Sequence, residues 1–164
     1  MKRILLLSDT HSYLDSKIEK YAKESDEIWH AGDIGNISVT DSLSTFALVR
    51  AVFGNIDGAE IRKQFKQHLR FTCEEVNVWL THIGGYPGSY SKYVKPDIFL
   101  HPPKLFICGH SHILKVMYDK KLNLLHINPG AAGNYGFHKV KTLVRFCIDK
   151  EKITNLDVIE LGSK

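Results

Sequence analysis

Cysteine is scarce in this sequence, and its spacing argues against a cysteine-based site. The chain has three cysteines, Cys73, Cys108 and Cys147, among 164 residues. No Cys-x-x-Cys pair is present, so neither a zinc–thiolate site nor a redox dithiol is expected, and the odd count argues against a disulfide framework. We therefore expect a reduced, cytoplasmic compartment.

Long apolar segments are also missing. The amino-terminal apolar run Ile4–Leu7 ends at Ser8, well short of the roughly 7–15 apolar residues in a signal peptide. No run approaches the roughly 18 apolar residues of a membrane-spanning helix. We expect no membrane partner.

The excess of charge is small. Twenty-two Lys and Arg residues against 18 Asp and Glu give a formal net charge of +4, and the surplus is spread along the chain. The densest basic segment, Arg62–Arg70, is better explained as the solvated face of a helix than as a phosphate-binding surface. Because nucleic-acid binding usually shows a basic cluster, nucleic acid is not an expected partner. The sequence leaves the oligomeric state open, a homo-oligomer included.

The remaining composition is that of a folded protein. It is 43% hydrophobic and 24% charged, which excludes wholesale disorder. At roughly 150 residues per domain, the length predicts one domain over residues 1–164.

Periodicity predicts strands and helices that alternate early in the chain and strands alone near its end. Helices are predicted over Leu14–Glu24, Val39–Ala47, Ala59–His68 and Tyr93–His101. The earlier strands are predicted at Ile4–Leu7, Glu27–Ala31, Leu48–Phe53, Leu69–Glu74, Val76–Thr81 and Leu105–Cys108, with a long loop at Ile83–Ser91. An antiparallel meander is predicted at Leu114–Tyr118, Leu122–Ile127, Thr142–Ile148 and Ile153–Leu161. This order indicates an α/β protein with two packed sheets.

Histidine is unusually frequent, with nine residues, and several follow directly after predicted strands. Five strands end next to side chains with metal-binding atoms: Asp9, His11, Asp33, Asn55, His82, His110 and His112. In α/β sheets the ligand site lies beyond the carboxyl ends of the strands, so these side chains are expected to meet at one rim.

Oxygen and imidazole donors without thiolate suit manganese, iron, nickel or zinc. Seven donors exceed the needs of one tetrahedral ion. They suit two ions roughly 3.5–4 Å apart that share a carboxylate. Two divalent ions beside two aspartates would leave a positive site, which favours an anionic substrate such as a phosphate ester.

The order and spacing of these motifs resemble the calcineurin-like metallophosphoesterase superfamily. The resemblance is carried by Asp9-Thr10-His11, Gly32-Asp33, Gly54-Asn55, His82 and Gly109-His110-Ser111-His112. The short length and Asn128-Pro129-Gly130 are similar to its compact phosphodiesterase branch. The resemblance implies a four-layer αββα sandwich, an α/β (α+β) fold of two mixed β-sheets flanked by helices.

The resemblance also implies a role for each ligand. Asp9, His11 and His112 would bind one metal ion. Asn55, His82 and His110 would bind the other, with Asp33 bridging both. The implied activity is hydrolysis of a small phosphodiester by in-line attack of a water or hydroxide held between the ions. Manganese is the first expectation for both ions, with iron, nickel or zinc as alternatives, and Asn55 and His82 are also expected to act in catalysis.

Two positions depart from the pattern. Many larger members have a histidine after the asparagine, where it can protonate the leaving group, but this chain has Ile56. Asp57 is therefore a candidate catalytic proton donor, or alternatively a residue that orients a ligand. Ala131 stands where the resemblance leads us to expect serine, so Asn128-Pro129-Gly130 is predicted to be a structural turn near the site.

The sequence is also compatible with other functions. The same superfamily includes a retromer subunit of similar size that uses the fold as a protein-interaction scaffold, and a metallonuclease would share the chemistry. The complete set of seven donors favours the enzyme. Among the remaining histidines, His30 is expected near the site, His68 and His101 on the surface, and His126 in a structural role, while His138 is a minor candidate for substrate contact. Tyr86 and Tyr90 either form a specificity wall or belong to a packed loop.

Overall fold

The structure, a computed structural model, describes residues 1–164 and contains twelve strands and four helices. The helices are α1 Ile18–Lys23, α2 Ile37–Ser44, α3 Ala59–Gln64 and α4 Asp97–Leu100. The first seven strands are β1 Lys2–Leu7, β2 Glu27–His30, β3 Leu48–Ala51, β4 His68–Cys73, β5 Val76–Thr81, β6 Gly85–Tyr86 and β7 Ser89–Tyr90. The others are β8 Leu105–Ile107, β9 Leu114–Asp119, β10 Leu124–Pro129, β11 Val140–Asp149 and β12 Lys152–Ser163. None of the helices has the length and apolar character needed to cross a membrane.

Two five-stranded mixed sheets form the centre of the fold. The first sheet has the order β12-β11-β1-β2-β3, and the second has the order β4-β5-β8-β10-β9. In the first sheet β1, β2 and β3 are parallel, whereas β11 pairs antiparallel with β1. In the second sheet β5, β8 and β10 are parallel, and antiparallel strands β4 and β9 form the edges. Each sheet thus has a parallel centre.

Alternation along the strands assigns apolar side chains to three buried layers. Ile4 and Leu6 of β1 point into a core shared by the two sheets, whereas Leu5 and Leu7 pack under α1, α2 and α3. On the outer face of the second sheet, Trp79 packs in a third cluster with residues of α4 and its preceding loop. The layers are therefore helices, sheet, sheet and helix, which confirms the expected αββα sandwich.

Contacts between distant residues shorten two predicted helices. The helix predicted from Leu14 begins only at Ile18, because Asp15 accepts a hydrogen bond from the backbone of Lys17 and pairs with Lys141 at 2.8 Å. The helix predicted to reach His68 ends at Gln64. Beyond it the chain turns back towards the sheet, and the carbonyl of Lys66 accepts a hydrogen bond from Phe53.

The predicted meander is wrong in its pairing. Strands β9 and β10 form a hairpin in the second sheet, while β11 and β12 belong to the first sheet. β10 is also parallel to β8. The predicted loop Ile83–Ser91 contains the small hairpin of β6 and β7.

Candidate metal centre

Five parallel strands end at the same edge of the sandwich, and all seven predicted ligands follow them. Asp9 and His11 follow β1, Asp33 follows β2, and Asn55 follows β3. In the second sheet, His82 follows β5, and the loop after β8 carries His110 and His112. Since the two sheets pack face to face, these loops meet above their shared core.

The first group of potential ligands consists of Asp9, His11 and His112, whose donor atoms lie within 4.8 Å of one another. Asp9 is fully buried, and its Oδ1 is 3.1 Å from His112 Nε2. The imidazoles of His11 and His112 meet edge to face, with their ring centroids 5.4 Å apart. Three donors from two distant loops thus surround one position.

The second group consists of Asp33, His82 and His110, also within 4.8 Å of one another. His82 is buried and His110 exposed, with their ring centroids 5.2 Å apart. Asn55 joins this group through its side-chain Oδ1, which lies 3.1 Å from His82 Nε2. The group therefore has both a buried and an accessible side.

Asp33 lies between the two groups. Its Oδ1 is 3.2 Å from His82 Nε2, and its Oδ2 is 3.7 Å from His11 Nε2. The amide of Ile56 donates a hydrogen bond to Oδ1 at 3.1 Å, which fixes the carboxylate. One oxygen therefore faces each group, the geometry that a bridging carboxylate needs.

Several of these residues have an unfavourable backbone conformation. Asp9, His11 and Asp33 have φ of 55°, 46° and 53°, and His110 and His112 have φ of 69° and 58°. The left-handed region is costly for residues with a Cβ and is often found at functional sites. Two hydrogen bonds between the loop after β1 and the loop after β2 stabilise this conformation. Asp9 N donates to Gly32 O and His11 N donates to Asp33 O, both at 3.0 Å.

Acceptor atoms converge around His82 without a donor between them. His82 Nδ1 lies 2.7 Å from the carbonyl oxygen of Ala31, which can only accept, so Nδ1 carries the proton. In the neutral ring Nε2 then presents a lone pair to Asp33 and Asn55, both within 3.2 Å. Lone pairs facing one another repel unless a proton or a metal ion lies between them, and this donor set therefore fits a divalent metal.

Unpartnered atoms in the first group support the same conclusion. Asp9 Oδ1 and His11 Nε2 are buried and make no hydrogen bond. Buried polar atoms are rarely left without a partner, because their desolvation is costly. A metal ion bound by this group would provide the missing partner for both atoms.

The electrostatics reflect concentrated negative charge. Burial lowers the pKa of His82, but the hydrogen bond that its protonated Nε2 donates to Asp33 and the charges of Asp9 and Asp33 outweigh it, so the net pKa is raised. Burial raises the pKa of Asp33, but His82, the Ile56 amide and His11 lower it below its ordinary value. Both shifts arise from the attraction between the carboxylates and the protonated imidazole.

Asp57 holds two loops through their backbone. Its side chain is 3% exposed and accepts hydrogen bonds from the amides of Gly54, Ile34 and Gly35 at 2.7, 3.1 and 2.7 Å. These bonds connect the loop after β2 with the loop after β3. This is the position expected of an orienting residue.

His30 lies beneath the candidate ligands, as the sequence predicted. It is fully buried, and burial lowers its pKa to about 4. The neutral ring accepts from Gly32 N through Nδ1 and donates from Nε2 to Thr10 Oγ1 at 3.0 Å. Thr10 in turn donates to Ile34 O at 3.0 Å. This chain of hydrogen bonds ties the loops after β1 and β2 together.

Asn128 has a specific supporting role that the sequence did not reveal. Asn128 and Pro129 end β10, and Gly130 has φ of 75°. The side-chain amide of Asn128 donates to Gly109 O at 2.8 Å and to Ser111 Oγ at 3.1 Å. Asn128 therefore positions the loop that carries His110 and His112.

The positions of the other histidines agree only in part with the positions predicted from the sequence. His101 is exposed and His126 is buried, as predicted, and His126 Nε2 lies 3.0 Å from Gly85 O. The surface position predicted for His68 is wrong, because it is half-buried and bonds to Thr81 Oγ1 at 2.9 Å. His138 lies at the edge of the centre, with its ring 5.3 Å from that of His112.

Tyr86 and Tyr90, which were predicted to form either a specificity wall or part of a packed loop, differ in their exposure. Tyr90 belongs to the packed-loop alternative, because it is 5% exposed and its hydroxyl donates to Asp119 at 2.7 Å. Tyr86 is 46% exposed. Tyr135, which the sequence analysis did not single out, packs 5.0 Å from the ring of His11. No spacing signal connects it to the strand-end motifs.

Arg62 was also missed, because its position in a basic segment indicated a solvated helix face. Its Nε donates to Asp57 O at 2.5 Å, and its Nη2 lies 3.3 Å from the carbonyl oxygens of Gly54 and Asn55. The guanidinium also packs over the ring of Phe53, 4.4 Å from its centroid. Arg62 therefore borders the candidate metal centre.

Sequence comparison identifies the family. The model of the calcineurin-like phosphoesterase superfamily domain matches residues 1–151, and the chain belongs to this superfamily. The superfamily is metal-dependent, in agreement with the two groups of candidate ligands. None of the curated proteins compared with the chain matches it.

Solved structures show the same fold. An archaeal phosphodiesterase is 21% identical, with a TM-score of 0.73 and coverage of 97% of this chain and 99% of that one. A predicted phosphoesterase of Streptococcus pneumoniae is 20% identical, with a TM-score of 0.71 and coverage of 97% and 89%. Vps29 of Entamoeba histolytica in complex with Zn²⁺ is 14% identical, with a TM-score of 0.74 and coverage of 96% and 98%.

Proposed function

We propose that this protein is a dinuclear-metal phosphodiesterase that hydrolyses small phosphodiesters. The observation that carries the proposal is the complete donor set, arranged as two adjoining groups around Asp33 with unpartnered atoms facing inward. We take residues 1–164 as one metallophosphoesterase domain. A cytoplasmic location accords with its three free cysteines.

In this proposal, Asp9, His11 and His112 hold one ion, Asn55, His82 and His110 hold the other, and Asp33 bridges them. When bound, the metal pair supplies an activated water and stabilises charge on the phosphoryl oxygens. Manganese is the first choice, with iron, nickel and zinc as alternatives, because this donor set suits all four.

The protein's own groups orient the reaction. The Ala31 carbonyl fixes the tautomer of His82, so that Nε2 faces the centre. The exposed Asn55 places its Oδ1 beside His82, and its amide nitrogen makes no hydrogen bond within the protein, so it can donate to a substrate phosphate.

No residue of the loop after β3 supplies a proton to the leaving group in this proposal. Ile56 has no proton to donate. Both oxygens of Asp57 accept backbone hydrogen bonds, and we assign this residue to loop orientation. Aryl diesters, whose leaving groups need no proton, are therefore expected to react faster than alkyl diesters.

The competing function is a protein-interaction scaffold, because the structures with the same fold include Vps29, a subunit of a protein complex. That likeness includes a structure with Zn²⁺, so metal binding alone does not separate the two functions. Turnover does.

The test is hydrolysis of bis(p-nitrophenyl) phosphate and of p-nitrophenyl phosphate by Mn²⁺-loaded protein, with metal content measured in parallel. We expect diester turnover that falls at least about 100-fold in Asp33→Asn. Asp41→Asn removes a carboxylate from the exposed face of α2 and should leave turnover unchanged. Bound metal without turnover of either ester would favour the scaffold.

A further inference from the structure

Four of the five arginines pair with carboxylates. Arg3, Arg50, Arg70 and Arg145 each lie within about 3 Å of an aspartate or glutamate oxygen. Arg62 has no carboxylate within salt-bridge distance. The one arginine beside the candidate metal centre therefore keeps a positive charge that no side chain neutralises.

Arg62 is nevertheless held in place. The carbonyl oxygens of Gly54, Asn55 and Asp57 accept its hydrogen bonds, and the ring of Phe53 supports its flat face. These contacts use Nε and Nη2, whereas Nη1 makes no hydrogen bond within the protein. A guanidinium with fixed orientation and free N–H groups is prepared to bind a carboxylate or phosphate oxygen.

A cleft connects Arg62 with the candidate metal centre. It has a volume of about 180 Å³ and includes Asn55, Arg62, His68, Thr81, His82 and Tyr93 in its walls. None of its lining residues is acidic. An anionic group that enters the cleft therefore meets a fixed cation and no opposing carboxylate.

We propose that Arg62 binds a second anionic group, a carboxylate or a phosphate, on the ester arm of the substrate that enters this cleft. The inference rests on the proposed function, because the first anionic group is the phosphodiester at the metal centre. The substrate class is thus a phosphodiester that carries an additional negative charge. Diesters with two neutral arms are poorer ligands.

The test measures binding rather than turnover. Mn²⁺-loaded protein is titrated calorimetrically with matched pairs of phosphonates that differ only in a terminal carboxylate. The pairs are ethylphosphonate and phosphonoacetate, propylphosphonate and phosphonopropionate, and butylphosphonate and phosphonobutyrate. For the chain length that spans the cleft, the carboxylate should raise the affinity of the wild-type protein about tenfold.

Three variants separate recognition from loop support. In Arg62→Gln the affinity ratio within each pair should fall to about one, and Arg62→Lys should keep part of it because it retains the charge without the planar fork. Lys63→Gln removes the neighbouring positive charge on α3, which does not line the cleft, and should keep the full ratio. A purely structural role of Arg62 would weaken both members of a pair equally.

The outcomes distinguish this inference from the proposed function. If the ratio survives in Arg62→Gln, or if the wild-type protein shows no preference at any chain length, Arg62 does not select substrates. If neither kind of phosphonate binds although Mn²⁺ is bound, this inference fails, whereas the proposed function is decided separately by turnover of bis(p-nitrophenyl) phosphate.

Discussion

Left-handed backbone occurs at both ends of the sandwich, but its setting differs. At the end that carries the candidate metal centre it occurs at five of the seven candidate ligands, Asp9, His11, Asp33, His110 and His112. At the opposite end it occurs at Glu74, Asn123 and Lys150, each between two antiparallel strands. The turns there follow from local chain reversal, whereas contacts between loops distant in the sequence hold the ligands.

The two ends also differ in how their charged and polar groups are paired. At the turn end, the terminal amine of Met1 lies 3.5 Å from Glu74 and 3.4 Å from Asp149, and Arg3 pairs with Asp26 at 2.8 Å. At the metal-centre end, Asp9 Oδ1 and His11 Nε2 are buried without partners. The unpartnered atoms at the metal-centre end are consistent with the metal site proposed there.

The largest expected effect comes from Gly54→Ala. A Cβ at Gly54 would lie 2.0 Å from Asp33 Oδ1 and 2.3 Å from Asp33 N, so the central carboxylate must move. We expect a loss of about 1–3 kcal/mol in the free energy of unfolding, measured with urea. Added Mn²⁺, which should stabilise the wild-type protein, should no longer do so.

Gly58→Ala is the matched control for Gly54→Ala. No atom lies within 4 Å of a Cβ at Gly58, and its φ is −82°. Its unfolding free energy should change by less than about 1 kcal/mol, and stabilisation by Mn²⁺ should persist. If Gly54→Ala responds to Mn²⁺ as Gly58→Ala does, the central position assigned to Asp33 is wrong.

An intermediate effect is expected at the turn end from Asp26→Asn. Hydrogen bonds from Arg3 lower the pKa of Asp26 to about 2. Because the folded-state pKa lies below the unfolded one, the carboxylate stabilises the fold at neutral pH, and this contribution is lost as the pH falls from about 4 to about 2. Since Arg3 is 54% exposed, we expect a cost of only about 1 kcal/mol at pH 7.

Urea unfolding of the wild-type protein and Asp26→Asn across this pH range tests the prediction. The difference between the two proteins should shrink towards zero near pH 2. Asp41→Asn, which has no charged partner, should show no such difference at any pH. A gap that persists unchanged to pH 2 would contradict the assigned role of the Arg3–Asp26 pair.

The smallest effect is expected from Lys150→Gly. Lys150 has φ of 52° between β11 and β12, and glycine removes the Cβ that makes this conformation costly. The strain relieved in the folded state exceeds only slightly the free-energy cost of the more flexible unfolded chain. Thermal unfolding should therefore show a stabilisation of about 0.5 kcal/mol. Lys121→Gly, in a turn without positive φ, should instead destabilise by about 0.4–1 kcal/mol. Equal effects in both variants would show that backbone strain at Lys150 is negligible.

Much of the fold and the candidate ligands could be predicted because their signals are local. A short run rich in apolar and β-branched residues marks a buried strand, and β5 occurs at the predicted residues Val76–Thr81. The strand ends then place Asp9, Asp33 and His82 on one rim, since parallel strands end at the same edge. The sequence by itself therefore determined that the fold has two packed sheets and which seven side chains are the candidate ligands.

The tertiary structure decided what depends on residues far apart in the chain. Asp15 and Lys141, which are 126 positions apart in the sequence, form the ion pair that shortens α1. Pairing of β11 with β1 replaces the expected meander. The tertiary structure also decided the environment of Arg62, which differs from its basic neighbours in donating hydrogen bonds to the loop after β3. Periodicity records which face of an element is buried, but the partner of each side chain is settled only when the layers pack.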